Sequence, residues 1–158
     1  GNGYDTSLSG DKPLLIGGGV GVPPLFGLCK KLIAENKTVN VILGFNTKSE
    51  IFLEDEFRAL GANVAVTTAD GSYGLKGFVN AAMEYADYSY FYTCGAKPML
   101  KAVNAAAKTS GQFSFEERMG CGTGACMGCT CKTKNGPKRI CTEGPVFLRE
   151  EIEWLHTR

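Results

Sequence analysis

The sequence predicts an α/β protein in which a doubly wound, five-stranded parallel sheet is followed by a small cysteine-rich module. Up to about residue 112, short apolar runs alternate with stretches of helical hydrophobic spacing, which is the pattern of a parallel sheet. After Met119 this alternation stops, and five of the seven cysteines follow. We therefore expect a sheet domain over residues 12–112 and a cysteine-rich module over residues 113–158.

Five short apolar runs are expected to form the strands, because strands buried on both faces of a parallel sheet are continuously hydrophobic. The fifth run alternates Phe113 and Phe115 with polar residues, so we expect it to be a half-exposed edge strand. The runs cover residues 12–17, 38–45, 63–68, 88–93 and 112–117.

Four stretches between these strands have the spacing of amphipathic helices. Gly61 is a typical stop for the second helix, and Pro98 suits the first turn of the fourth. Cys29 lies inside the first helix, where we expect it to be a packing residue. The stretches cover residues 25–36, 51–60, 78–86 and 97–110.

Composition limits the classes of function. The net charge of +1 gives no reason to expect binding to nucleic acid or to a membrane surface, and no apolar run reaches the length of a membrane span. The odd number of cysteines argues against a disulfide framework, and free thiols are typical of a reducing compartment, so we expect a cytoplasmic protein. His156 is the only histidine, and we expect it to be a solvated residue of the tail.

The cysteines carry the strongest chemical signal. Cys121, Cys126 and Cys129 stand in a C-x4-C-x2-C array, and Cys141 follows a turn-rich stretch. This is the plant-type spacing for a [2Fe-2S] cluster, in which four thiolates ligate two irons. Glycines interleave with these cysteines, as expected of a loop that must wrap closely around an inorganic core.

Three alternatives to this interpretation remain. Zinc also binds four cysteines, but structural zinc sites usually contain two C-x2-C pairs, and only Cys126 and Cys129 form such a pair. Ordinary buried thiols that bind no metal rank third, after an iron–sulfur cluster and zinc. Cys131 is a spare cysteine, and the spacing leaves open that it replaces Cys129 as a ligand.

A glycine turn joins the first strand to the first helix. In a doubly wound sheet it lies beside a helix N-terminus, where backbone N–H groups bind a pyrophosphate. A purely structural turn is an equal alternative, because two prolines follow and Phe45 and Asn46 stand where an acidic residue often contacts a ribose. The turn consists of Gly17, Gly18, Gly19, Val20 and Gly21.

Two further segments end strands at the same edge of the predicted sheet. Cys94 and Gly95 offer a small, soft surface for a nicotinamide ring, although a buried thiol at a strand end is the plainer interpretation. Asp70 and Gly71 follow the third strand, where an ordinary surface loop is as good an explanation as a binding site.

Three motifs in this order resemble one known family. They are GGGVGVPPL, TCGAKPML, and CGTGACMGC followed by C-x-x-G-P. Together they are similar to the electron-transfer subunits of two-subunit bacterial dihydroorotate dehydrogenases, in the ferredoxin–NADP reductase superfamily. The resemblance extends from Lys12 to about Glu153.

The resemblance implies a route for electrons. A partner subunit would oxidise dihydroorotate at FMN, in a heterotetramer, and electrons would pass through the [2Fe-2S] cluster to FAD and then to NAD. It implies that Cys121, Cys126, Cys129 and Cys141 are the cluster ligands. The glycine turn would face the pyrophosphate, and Cys94 and Gly95 would lie near the nicotinamide and the flavin.

One departure from the family pattern is the absence of a flavin barrel, which needs roughly a hundred residues before the sheet. We therefore expect residues 1–11 to be a linker remnant, residues 12–112 a nicotinamide-nucleotide domain, and FAD to be bound mainly by the missing domain. We expect NAD rather than NADP, because Phe45 and Asn46 include no arginine for a 2′-phosphate, although Lys48 is near. A reductase subunit of another iron–sulfur flavoenzyme and a non-enzymatic zinc-binding interaction module are the alternatives.

Overall fold

A computed structural model describes residues 1–153, and within that range it has nine strands, five α-helices and four short 3-10 helices. The strands are β1 (Pro13–Gly18), β2 (Asn40–Phe45), β3 (Asn63–Thr68), β4 (Leu75–Lys76), β5 (Tyr90–Cys94), β6 (Gly111–Ser114), β7 (Thr130–Thr133), β8 (Gly136–Arg139) and β9 (Val146–Leu148). The α-helices are α1 (Val22–Ala34), α2 (Glu54–Ala59), α3 (Val79–Met83), α4 (Lys97–Ala106) and α5 (Ile140–Glu143). The 3-10 helices are Thr6–Leu8, Gly19–Gly21, Lys48–Glu50 and Arg149–Glu151. The expected solvated tail around His156 lies outside the described residues.

The main sheet confirms the doubly wound α/β prediction. Among the described residues, seven strands pair in the order β4-β3-β2-β1-β5-β6-β9, and β7 and β8 form a separate hairpin. The five central strands are all parallel, as expected, and they are β3, β2, β1, β5 and β6. Two short strands extend the predicted five-stranded sheet: β4 pairs parallel to β3, and β9 pairs antiparallel to β6.

The prediction that the fifth strand is a half-exposed edge is wrong. β9 covers β6, pairing Phe113 with Phe147, and all four residues of β6 are buried. Gln112 is buried because its side chain is fully used: its amide donates to the Asp5 carbonyl oxygen at 2.9 Å, and its Oε1 accepts from the Asp5 backbone N–H at 2.9 Å. Alternation of apolar and polar residues therefore reflected hydrogen bonding inside the protein rather than contact with water.

The cysteine-rich segment shares the core of the sheet. The face of the sheet that carries α3 and α4 packs in one cluster with Cys129, Ile140, Phe147 and Ile152 from the segment. The opposite face packs against α1 and α2 in a second cluster. The expected domain boundary between residues 112 and 113 thus falls within β6.

Helix α1 begins three residues earlier than the periodicity predicted. Pro23 and Pro24 occupy its first turn, where the missing N–H groups cost nothing and the fixed φ angle is already helical. Cys29 lies on its buried face, and burial raises the pKa of this thiol to about 11. A thiol with such a pKa stays protonated and packs as an apolar side chain, as expected.

The N-terminal segment, residues 1–11, is bonded to the sheet. Asn2 exchanges two hydrogen bonds with Val146, donating from Nδ2 at 2.9 Å and accepting at Oδ1 at 3.0 Å. The Tyr4 hydroxyl donates to the Thr93 carbonyl oxygen at 3.0 Å. The expected linker is therefore anchored to β5 and β9.

The turn between β1 and α1 touches the end of β5. A Cβ atom on Gly21 would lie 2.2 Å from the carbonyl oxygen of Cys94, which is far inside van der Waals contact. By contrast, Gly27 is exposed on α1, and a Cβ there would meet nothing within 4 Å.

Gly21 and Gly27 lie close together in sequence, so alanine substitutions at the two positions form a matched comparison. We expect Gly21→Ala to destabilise the protein by about 1–3 kcal/mol or more, because the backbone must move to admit the methyl group. We expect Gly27→Ala to stabilise it by about 0.5–1 kcal/mol, because alanine restricts the unfolded chain and favours the helix. Urea denaturation of both variants measures the difference, and equal stabilities would contradict the close contact.

Candidate functional site

The register of the sheet brings the predicted strand-end segments together. Gly17 lies beside Cys94, and Gly18 lies beside Gly44 at the end of β2. Met99 packs over both sides of this junction, because a Cβ on Gly18 would lie 2.5 Å from its Sδ and one on Gly95 would lie 2.6 Å from its Cε. Gly18 and Gly95 therefore make room for the thioether end of Met99, which packs over both of them.

Gly19 and Val20 form the open side of the turn. Gly19 has a φ angle of +51°, and a Cβ there would meet nothing within 4 Å. Val20 is 73% exposed, which is unusual for a valine beside buried strands. The turn thus presents a bare stretch of backbone next to the start of α1, and this stretch is free to approach a ligand.

A cleft of about 590 Å³ opens beside Gly19, between the ends of β2 and β3 and the starts of α3 and α4. Its lining is mainly apolar and includes Phe45, Phe78 and Met99. Phe78 is 68% exposed, so this ring has a free surface. Within residues 1–153, the buried hydroxyl of Thr67 at this cleft has no hydrogen-bond partner.

Acidic side chains also lie at this cleft. Glu50 belongs to its lining and accepts hydrogen bonds from the Asn46 backbone N–H at 3.2 Å and from Asn46 Nδ2 at 3.1 Å. Sequence reasoning looked for an acidic residue directly after β2 and missed Glu50, because the chain folds back through a 3-10 helix. Thr67, Phe78 and Met99 were missed because their meeting depends on the end of β3 and the starts of α3 and α4.

A second cleft, of about 760 Å³, lies on the other side of Cys94 and Gly95. The Cys94 thiol is buried, and burial raises its pKa, so it is a neutral group at the wall of this cleft. Burial also raises the pKa of the nearby Tyr4 hydroxyl. Glu116 lines both clefts.

Asp70 and Gly71 line neither of these two clefts. The Asp70 carboxylate accepts from the Ser72 backbone N–H at 2.9 Å and from its hydroxyl at 2.6 Å, and the Ser72 side-chain bond is the main reason that its pKa is lowered. Ser72 Oγ accepts in turn from the Lys48 N–H at 2.8 Å. These bonds join the loop after β3 to the loop after β2.

The four predicted cluster cysteines form two pairs of thiols. Cys121 and Cys126 lie within hydrogen-bonding reach of each other, and so do Cys129 and Cys141. The first pair is exposed, whereas Cys129 is buried and Cys141 half-buried. Cys131 lies in β7, half-buried, and burial raises the pKa of its thiol.

Backbone N–H groups of the loop point at the sulfur atoms. Cys121 Sγ accepts from the Thr123 and Cys126 N–H groups at 3.4 Å each, and Cys129 Sγ accepts from the Cys141 N–H at 3.4 Å. The Gly128 N–H donates to Cys126 Sγ at 3.4 Å. These donors are the kind that stabilise a thiolate and tune a bound metal group.

The hydrogen bonds shift the pKa values of the thiols. Bonds from the Thr123 side chain and from the Cys126 and Thr123 backbone lower the pKa of Cys121 to about 5. The Cys141 N–H lowers the pKa of Cys129, and the shared hydrogen bond with Cys129 raises the pKa of Cys141. Since metals bind the thiolate form, the lowered pKa values of Cys121 and Cys129 favour metal ligation by these two thiols.

The donor set fits a binuclear cluster. Within residues 1–153, no three His, Cys, Asp or Glu side chains are grouped around a single point as they would be around one metal ion. Two neighbouring pairs of thiols are instead the donors expected when four thiolates ligate two irons. Beside the thiols, Gly122 has a φ angle of +69°, which favours glycine, and a Cβ on Gly120 would lie 3.3 Å from Cys126 Sγ.

An ion pair joins the cysteine loop to the edge of the sheet. Lys97 Nζ, at the start of α4, pairs with Glu117 Oε1 in the segment between β6 and Cys121. Both side chains are partly buried. The segment between β6 and Cys121 is therefore short, and the ion pair anchors it to the start of α4.

Comparison with known families assigns both halves of the chain. Residues 15–105 match the family described as the oxidoreductase NAD-binding domain. Residues 116–153 match the iron–sulfur cluster binding domain of dihydroorotate dehydrogenase B. The second match covers all four predicted cluster cysteines.

Curated relatives resemble the chain over almost its full length. The electron transfer subunit of dihydroorotate dehydrogenase B (NAD(+)) from Bacillus pumilus (strain SAFR-032) is 46% identical over 160 residues, which is 96% of this chain and 62% of the relative. The subunit of the same name from Lysinibacillus sphaericus (strain C3-41) is 48% identical over 162 residues, with the same coverage of 96% and 62%. The chain thus spans about three fifths of the length of these relatives.

A solved structure has the same fold. The NADH-dependent reduced ferredoxin–NADP oxidoreductase, studied for flavin-based electron bifurcation, superposes with a TM-score of 0.82 at 30% identity, over 96% of this chain and 58% of that one. The predicted ferredoxin reductase fold is thereby confirmed. A search of the described residues for a helix of the length and apolarity that a membrane span requires finds none.

The ligand assignment is testable one thiol at a time. We expect the chain, reconstituted with iron and sulfide, to develop visible absorption that is lost or strongly weakened when Cys121, Cys126, Cys129 or Cys141 is replaced by Ser. We expect Cys131→Ser to retain it, because this half-buried thiol belongs to neither pair. Retention in Cys129→Ser together with loss in Cys131→Ser would reverse the assignment.

Proposed function

Because this chain belongs to the oxidoreductase NAD-binding domain family and continues into the iron–sulfur cluster binding domain of dihydroorotate dehydrogenase B, we propose that it is the nucleotide- and cluster-binding part of an electron-transfer subunit of that enzyme. The observation that carries the proposal is the combination of a strand-end cleft with two pairs of thiols in one chain whose two parts share a hydrophobic core. Relatives of that name at 46% and 48% identity support it.

In this function, electrons from dihydroorotate pass through a [2Fe-2S] cluster and FAD to NAD, in pyrimidine biosynthesis. The partner is an FMN-containing catalytic subunit, with which the full-length subunit forms a heterotetramer in the cytoplasm. The cofactors supply the redox chemistry. FAD is held mainly by a flavin domain ahead of the sheet, in a longer protein of the length of the curated relatives.

The residues of this chain bind and orient the nucleotide. The bare backbone at Gly19 and Val20 approaches the pyrophosphate, helped by the N-terminus of α1. The apolar walls of the adjacent cleft and the unpaired Thr67 hydroxyl suit a flat heteroaromatic base, whose faces are apolar and whose edge carries hydrogen-bonding atoms. Cys94 and Gly95 provide a small neutral surface near the nicotinamide.

The charges around the cleft favour NAD over NADP. Glu50 at the cleft would repel a 2′-phosphate. Lys48, the nearest cation in sequence, directs its ammonium group over the Tyr73 ring at 5.7 Å from the centroid. Asp70 supports this rim through its bonds with Ser72, and Gly71 through its N–H bond to the Thr68 carbonyl oxygen, so both serve the nucleotide only indirectly.

The cysteine segment holds the cluster. Cys121, Cys126, Cys129 and Cys141 would hold the cluster, and the N–H···S bonds from Cys126 to Cys121 and from Cys141 to Cys129 already bring them together in two pairs. The N–H groups directed at sulfur stabilise the thiolates and exclude competing donors. The exposed pair lies at the surface where a partner subunit has access.

A related reductase subunit of another NAD(P)H-linked iron–sulfur flavoenzyme is the second candidate. The match to the NADH-dependent reduced ferredoxin–NADP oxidoreductase favours it, but at 30% identity rather than 46–48%. A zinc-binding interaction module is separated from both by metal analysis, since zinc gives a colourless protein. Co-purification of the full-length protein with its partner distinguishes the first two candidates.

The glycine turn is tested by filling its open side. In the flavin-containing full-length protein, we expect Gly19→Val to raise the dissociation constant for NADH about tenfold or more, about 1.4 kcal/mol. The branched side chain is strained at a φ angle of +51° and projects into the open space of the cleft. Gly19→Asn tolerates the backbone angle, so it separates strain from obstruction, and Gly27→Ala is the control. Unchanged NADH affinity in Gly19→Val would leave the turn a purely structural role.

The need for a flavin is tested on the isolated chain loaded with its cluster. Hydride carries two electrons, a [2Fe-2S] cluster accepts one, and a flavin is the usual converter between them. We expect negligible NADH oxidation with ferricyanide, although dithionite reduces the cluster directly. Restoring the flavin domain and FAD should restore the activity. Rapid bleaching of the cluster by NADH in a preparation free of flavin would contradict this division of roles.

A further inference from the structure

Arg139 links the two segments that carry the cysteines. It ends β8, two positions before Cys141, and its Nη1 donates to the carbonyl oxygen of Gly124 at 3.1 Å. Its Nε and its backbone N–H donate to Glu143 Oε2 at 3.1 and 2.8 Å. One side chain thus spans the loop of Cys121 to Cys129 and the segment that contains Cys141.

Gly124 is one of the points at which the two segments touch, besides the Cys141 N–H bond to Cys129 Sγ. Its φ angle is +88°, and a Cβ there would lie 2.9 Å from Thr142 Cγ2 and 3.3 Å from Arg139 Nη1. Its backbone N–H donates toward the Cys141 thiol, while its carbonyl oxygen accepts from Arg139. Gly124 is therefore in contact with both Arg139 and Thr142. The Arg139 hydrogen bond fixes the distance between the loop and the Cys141 segment.

The charge of Arg139 lies beside the same contact. A guanidinium is protonated at every accessible pH, so it is a fixed positive charge next to the ligand loop. Reduction adds one negative charge to the group that the thiols hold, and a neighbouring cation favours this change whereas a neighbouring anion opposes it. Arg139 and Glu143 supply one charge of each sign, and both side chains are more than a third exposed.

We propose that Arg139 is a positioning residue for the cluster: it fixes Gly124 against the Cys141 segment, and its charge, balanced by Glu143, sets the reduction potential. The proposal rests on the cluster site of the proposed function. A purely mechanical clamp would not distinguish the sign of the charge that is removed. An electrostatic role requires opposite shifts when the two partners of the ion pair are neutralised.

The test is a redox titration of the cluster-loaded chain with dithionite, followed by visible absorption and electron paramagnetic resonance. We expect Arg139→Gln to lower the reduction potential and Glu143→Gln to raise it. Arg139→Lys keeps the charge but loses the forked donor geometry, so its potential should stay near that of the unmodified chain while iron loss to a chelator becomes several-fold faster. Added salt should narrow the difference between the Gln variants, because both positions are partly exposed.

Arg58 provides the matched control. It forms an ion pair with Glu54 at 3.0 Å, also at i,i+4 spacing, on α2 on the opposite face of the sheet. We expect Arg58→Gln to change neither the potential nor the rate of iron loss. Shifts of the same sign in Arg139→Gln and Glu143→Gln, or no shift in either, would overturn the proposal.

Two results keep this test separate from the proposed function. If Arg139→Gln fails to assemble a cluster, Glu143→Gln must still raise the potential, and a lowered or unchanged value would overturn the proposal. If the unmodified chain binds no iron and sulfide, the cluster site itself is wrong, and the failure belongs to the proposed function.

Discussion

The contact between the β1–α1 turn and the end of β5 determines the shape of the nucleotide region. Gly21 can stand against the Cys94 carbonyl oxygen only because it has no Cβ. This approach brings Gly18 and Gly95 under Met99 and leaves Gly19 and Val20 as the free backbone of the turn. The glycines of this turn are therefore present for different physical reasons. Packing inside the protein requires Gly21, and only the open side at Gly19 is available to a ligand.

The cysteine segment depends on the same sheet. β9 returns along β6, and Cys129, Ile140 and Phe147 enter the core beneath α3 and α4. A loop that must hold a metal group thus gains its rigidity from hydrophobic packing on one side and from N–H···S hydrogen bonds on the other. The Lys97–Glu117 ion pair adds a connection between the nucleotide edge and this loop. Separate folding of the two halves is not expected from this shared core.

Charge acts locally in this protein. The net charge is only +1, so the electrostatic effects seen in the structure are those between neighbouring groups. The Thr123 side chain and the Cys126 and Thr123 N–H groups lower the pKa of Cys121 to about 5, and Arg139 bridges the loop to the Cys141 segment. The exposed pair of Cys121 and Cys126 faces solvent, whereas Cys129 is buried, so the two halves of the thiol set experience different surroundings.

The sequence by itself determined the five parallel strands and the helices between them, and it predicted four cysteine ligands, because hydrophobic period and ligand spacing are local properties of the chain. Periodicity could not show that β6 is covered, because its partner β9 lies more than thirty residues away and the polar Gln112 is satisfied by Asp5. Only the tertiary structure gathered Thr67, Phe78 and Met99 around one cleft, brought Glu50 to it, and joined Arg139 to Gly124 and Cys141 to Cys129. Each of these juxtapositions joins residues distant in sequence, so it depends on strand register and helix packing, which no local pattern encodes.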